Sequence, residues 1–97
     1  MEAVKRIDIV IPEVLLREVC ELLDRQRVGG YTVTRGLSGK GDRGAQTGDG
    51  LAGEFSNAGI VVVCPELALP PLLESLRPLL TQFGGMCLVS DAHWLKH

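Results

Sequence analysis

Two spacings of apolar residues alternate along this chain, and their order restricts the fold more than any other feature of the sequence. Residues 4–11 (VKRIDIVI) place Ile7, Ile9 and Ile11 at every second position, against Arg6, Asp8 and Val10. That is the period of a strand with two unlike faces. Pro12 ends it. From Glu13 onward the apolar positions Leu15, Leu16, Val19, Leu22 and Leu23 recur at helical spacing. Glu13 stands near the start, Arg25 and Arg27 near the end, and Gly29 and Gly30 stop the run, as a helix dipole and a helix terminus require.

The same alternation follows in the second half. Residues 31–37 read as a second strand, and residues 60–64 (IVVVC) as a third whose unbroken apolar character suits a central position. Leu72, Leu73, Leu76, Leu79, Leu80 and Phe83 keep helical spacing, with Pro78 inside, which removes a backbone donor and is expected to bend the helix. Gly84 and Gly85 close that segment, and residues 86–90 (MCLVS) make the last strand. The order β-α-β-β-α-β is the ferredoxin-like, split βαβ arrangement, an α+β fold with the first and third strands in the middle of an antiparallel sheet and both helices on one face. The other face is bare. Val61, Val62, Val63 and Cys64 feed apolar side chains to both faces, so self-association is expected to cover it.

At 97 residues and 45% hydrophobic composition the chain is expected to form one domain, residues 1–97, around one core. The longest apolar run is too short to cross a bilayer, and Asp8 interrupts any secretory apolar region, so a cytoplasmic protein is expected. A net charge of −2 and 4% aromatic residues count against a nucleic-acid binder. Cys20, Cys64 and Cys87 have no metal or redox spacing and are expected to be buried packing residues. His93 and His97, near the end of the chain, are expected to be solvated, and no metal site is expected.

The remaining anomaly is RGLSGKGDRGAQTGDGLAGE, residues 35–54, a glycine-rich stretch between the second and third strands. Connections of about 20 residues without structure of their own are uncommon in compact domains and are usually functional or disordered. Glycines at 36, 39, 41, 44, 48, 50 and 53 permit close backbone approach to a bound group and make the free loop costly to order. Between Gly36 and Arg43, exposed amides can form an anion nest, Ser38 can donate a hydrogen bond, and Lys40 and Arg43 supply positive charge. This is not a Walker A loop: no Ser or Thr follows Lys40 and no helix begins there. On these residues alone an anion site and a solvated hairpin loop are equally open.

The segment GYTVTRGLSGKGDRG, with the preceding KRIDIVIP and helix and the following GIVVVCPE and helix, resembles the PII signal-transduction superfamily. It is most similar to the short PII-like proteins of carboxysome and bicarbonate-uptake operons. The resemblance covers nearly the whole chain, and its specific parts are Gly30, Tyr31, Thr32 and Val33, with Ser38, Gly39, Lys40, Gly41 and Arg43. It implies a homotrimer, adenine nucleotide in clefts between subunits, and a T-loop, about residues 38–56, that changes order with ligand to engage a protein partner. By position it puts Tyr31 and Thr32 near the adenine or ribose. Ser38, Gly39, Lys40, Gly41 and Arg43 then meet phosphates, and Phe83, Gly84, Gly85 and Met86 close the site. Gly30, Thr34, Gly36 and Val63 complete the implied nucleotide-binding set.

Departures from the family pattern modify what it implies. The only tyrosine is Tyr31, outside the loop, so nucleotidylation there is not expected. Val61 stands where the family's nitrogen regulators carry an acid that reads the adenine amino group. Their Gly-Asp-Gly-Lys turn is Phe83-Gly84-Gly85-Met86 here, one cation fewer at the phosphate end. AMP or ADP is therefore expected over magnesium-ATP. The basic C-terminal loop and the cysteine-bearing terminal hairpin of bicarbonate-transporter regulators are absent, which counts against a 2-oxoglutarate sensor. Bicarbonate, a small planar anion, is an expected second ligand at Ser38, Gly39, Lys40, Gly41 and Arg43, and no catalytic cofactor is expected. Two other classes share the topology. An acylphosphatase-type enzyme needs an arginine loop directly after the first strand, where this chain has Ile11, Pro12, Glu13 and Val14. An ACT-type amino-acid-sensing module normally lacks the long loop.

Overall fold

The structure is a computed structural model and describes residues 1–41, 44–46 and 56–97. Strand β1 runs Glu2–Pro12 and leads through a 3-10 turn, Glu13–Leu15, into helix α1, Leu16–Arg25. Strand β2 is Gly30–Leu37, and a small hairpin follows, β3 Gly39–Gly41 and β4 Gly44–Gln46. Strand β5 is Asn57–Cys64; a second 3-10 turn, Glu66–Ala68, opens helix α2, Leu69–Phe83, and β6 is Met86–Trp94. The four long strands form an antiparallel sheet in the order β2-β5-β1-β6, so the first and third long strands are central, as the sequence pattern predicts.

Pairing carries the strands beyond their apolar stretches. β5 begins at Asn57 rather than Ile60 because Ala58 and Asn57 continue the ladder with Ile11 and Pro12. β6 runs on to Trp94 because Asp91, Ala92 and His93 pair with Lys5, Val4 and Ala3. His93 is therefore inside a strand, though exposed, and not in a frayed end. Helix α2 starts with Pro70 and Pro71 in its first turn, where a missing N–H costs nothing, and continues through Pro78 on its exposed side.

Register decides which side chains share a face. Ile7, Ile9 and Ile11 lie opposite Val62, Ile60 and Ala58, and all six are at most 1% exposed beneath the helices. Val19 and Leu23 of α1 and Leu72 and Leu76 of α2 close this core. Burial of each large aliphatic side chain contributes about 1.5–3 kcal/mol, so this layer dominates the stability of the unit. Of the three thiols only Cys64 is buried; Cys20 and Cys87 are half-buried, because each sits near the rim of the core. The opposite face carries Arg6, Asp8 and Val10 of β1, Val61 and Val63 of β5, and Met86 and Leu88 of β6. Met86 and Leu88 are 46% and 57% exposed, which leaves the bare face expected from the topology.

Candidate functional site

On β2 the alternation splits the residues named by the sequence. Gly30, Thr32 and Thr34 pair with Val63, Val61 and Gly59 and belong to the bare face. Tyr31 and Val33 belong to the helix face. The Tyr31 hydroxyl donates to an Asp24 carboxylate oxygen of α1 at 2.9 Å. That bond, then desolvation, pushes the phenol up to about 12, since losing its proton would set an anion beside a carboxylate. The Tyr31 side chain is thus turned away from Thr32, and only the backbone of Tyr31 stands with the bare-face group.

Past Thr34 the ladder shifts register before Leu37 pairs with Asn57. Gly36 sits within that irregularity at φ 73°, a left-handed conformation that any L side chain would strain. Leu37 turns its Cδ1 onto Gly59, only 2.8 Å from where a side chain there would begin. Ser38 is exposed and leads directly into the β3–β4 hairpin, where Gly39, Lys40 and Gly41 pair with Gln46, Ala45 and Gly44. The opening of the glycine-rich segment is thus strand-paired and not structureless. Its exit is anchored by the Glu13 N–H, which donates to the Ser56 carbonyl at 2.8 Å. Arg43, and the expectation of mobility for most of residues 39–56, lie outside the described residues.

The second group forms the α2–β6 connection. The Gly84 N–H donates to the Leu80 carbonyl at 2.9 Å, and Gly84 and Gly85 take φ of 83° and 119°. This left-handed pair turns the chain so that Met86 can pair with Val10. Phe83 and Met86 remain 41% and 46% exposed. Because the sheet order is β2-β5-β1-β6, the Gly30–Thr34 group and the Phe83–Met86 group lie on opposite edges. Three strand spacings separate them, roughly 14 Å. One chain does not bring these two groups together.

The sequence reading passed over two features. A cleft of about 780 Å³ opens on the helix face at the feet of the loop, lined by Glu13, Val14, Leu16, Arg17, Cys20, Val33, Arg35 and Ser56. The Trp94 ring lies against Gly29, at the start of β2. Among the described residues no group of histidine, cysteine, aspartate and glutamate side chains could hold a metal ion, and no helix is long and apolar enough to cross a membrane.

The fold and loop define a ferredoxin-like sheet domain with a glycine-rich loop between the second and third long strands. The family model described as nitrogen regulatory protein P-II matches residues 4–96, and the chain belongs to that family. Comparison with curated proteins gave no match. Among solved structures, CPII, a nitrogen regulatory PII-like protein from Thiomonas intermedia K12 bound to ADP, AMP and bicarbonate, is 31% identical with a TM-score of 0.84. That match covers 93% of this chain and 86% of the other. The apo form of CPII matches at 28% identity and a TM-score of 0.76, over 93% and 89% of the two chains. A PII-like signalling protein from Thermus thermophilus shares the fold at 22% identity, with a TM-score of 0.76 over 94% and 88%.

Proposed function

We propose that this chain is a non-catalytic signalling protein that binds an adenine nucleotide, AMP or ADP by preference, in clefts between the subunits of a homotrimer. The observation that carries the reading is its similarity, at 31% identity, to a PII-like protein whose structure holds ADP, AMP and bicarbonate. The positions of the candidate residues agree with it. If a nucleotide is to touch both Gly30, Thr32 and Val63 at the β2 edge and Phe83, Gly84, Gly85 and Met86 at the β6 edge, the two edges come from neighbouring copies. The exposed apolar face of the sheet gives those copies a reason to associate.

In this reading Thr34 and Gly36 shape the loop's entrance, and backbone groups of Tyr31 and Val63 read the base. Ser38, Gly39, Lys40, Gly41 and Arg43 meet the phosphates and bicarbonate. With Met86 in the α2–β6 turn, the phosphate end lacks a cation there, which favours fewer phosphates. The T-loop, about residues 38–56 of a single domain spanning residues 1–97, orders in steps. Nucleotide organises its first part, and bicarbonate then binds a loop whose ordering entropy has been partly spent. The ordered loop is displayed to a protein partner, in the cytoplasm, as a signal of inorganic-carbon status.

Calorimetric titration with AMP, ADP, ATP, bicarbonate and amino acids tests the reading. AMP or ADP should bind, and bicarbonate should raise nucleotide affinity by the same factor by which nucleotide raises bicarbonate affinity. Binding of an amino acid alone, with no response to nucleotide, would overturn it in favour of an amino-acid sensor.

A further inference from the structure

Strand β6 ends at Trp94, opposite Glu2 of β1 and in register with the bare face. Its indole comes to the turn that starts β2. A Cβ placed on Gly29 would be 3.1 Å from ring carbon Cζ3, 3.3 Å from Cη2 and 3.4 Å from the Val63 carbonyl oxygen. That same carbonyl accepts the Gly29 N–H at 2.9 Å. Next along, Gly30 has φ of 144° and nothing within 4 Å of where its Cβ would be. The Lys96 ammonium lies 5.7 Å from the indole centroid and 3.2 Å from a Glu2 carboxylate oxygen. These contacts tether the ring on one side, and the residue still keeps 36% exposure.

An open space without side chain at Gly30 thus adjoins a tethered, partly exposed indole, and both stand beside Val63. A flat π-system fits such a place, because a base gains stacking energy on an aromatic ring whatever its sequence identity. We propose that Trp94 is a base-stacking residue of the nucleotide cleft, with Lys96 and Glu2 acting as positioning residues that hold its ring. This rests on the reading that Gly30, Thr32 and Val63 face an adenine nucleotide. The competing role is structural, with Trp94 only sealing the corner of the sheet near Val63 and Gly29.

Trp94 is the only tryptophan in the chain, so its fluorescence reports this corner alone. ADP is titrated into the full-length protein, with binding followed separately by calorimetry. The proposal expects Trp94 emission to change along a curve that overlays the calorimetric isotherm. Trp94→Ala should weaken ADP about tenfold, and Trp94→Phe, which keeps a ring, distinctly less. Circular dichroism establishes that each variant is folded, and the wild-type fluorescence arm stands even if Trp94→Ala is not. ADP binding by calorimetry with unchanged emission, or with equal affinity in wild type and Trp94→Phe and Trp94→Ala, overturns the stacking role and leaves the nucleotide site intact. Absence of any calorimetric binding overturns the nucleotide reading itself, and the stacking role with it.

Discussion

Gly85→Ala should be far more damaging than its chemistry suggests, because two separate costs fall on one methyl group. Gly85 has φ of 119°, and a Cβ there would stand 2.5 Å from the Val10 carbonyl oxygen. The left-handed conformation alone costs an L residue about 1–2 kcal/mol. The contact adds to this, since a backbone oxygen within β1 cannot rotate away as a side chain can. Relief requires opening the Val10 and Met86 pairing at the end of the sheet, about another 1 kcal/mol for a lost backbone hydrogen bond. The sum is about 2–3 kcal/mol. Gly36→Ala is the control: φ is 73° but nothing lies within 4 Å of its Cβ, so only the first cost applies. Urea denaturation at matched protein concentration measures both, the concentration being fixed because association shifts apparent stability. Equal losses for the two variants would refute the close approach and the account of how the α2–β6 turn is held.

Other consequences follow from the same geometry. Leu72→Ala, at a fully buried position, should cost about 2–5 kcal/mol in the same urea experiment, whereas Leu67→Ala, at 89% exposure, should change little. The single tyrosine should titrate near 12 by tyrosinate absorbance, and Asp24→Asn should bring it back toward 10. Because the folded value lies above the unfolded one, the Tyr31 contribution to stability is fully present below pH 10 and is lost as pH rises toward 12. Under the proposed function, Lys40→Ala and Arg43→Ala should each weaken ADP by about 1–3 kcal/mol if their phosphate contacts are desolvated, and adenosine hardly at all. Equal losses for adenosine and ADP would remove both residues from the phosphate site.

Much of the fold was legible because periodicity reports burial directly. Ile7, Ile9 and Ile11 announce the inner face of β1, and the leucine spacing announces both helices. Strand ends were not legible where pairing, rather than side-chain burial, extends the element: Asn57, Ala58 and Gly59 carry little apolar signal, and Asp91 and His93 none. The same limit hid the β3–β4 hairpin, whose strands are built partly from glycines that usually disfavour strand. The rule of alternation separates Tyr31 from Thr32, yet resemblance grouped them, and the Tyr31–Asp24 bond shows that alternation governs their side chains. The approach of Trp94 to Gly29 joins distant parts of the chain and has no local signature. The strand order did follow from topology, and it alone places the two candidate groups on opposite edges.

The claim that each site takes one edge from each of two copies can be tested by mixing two defective variants. Thr32→Trp blocks the bare face at the β2 edge, and Met86→Glu sets a negative charge against phosphate at the β6 edge. Each variant alone should fail to bind ADP while keeping the wild-type mass by light scattering. After the two are unfolded together and refolded, about a quarter of the sites should bind ADP, because each half is drawn at random from the two variants. Mixed assemblies of the same mass that recover no ADP binding would place both groups' contributions within one chain and contradict the account.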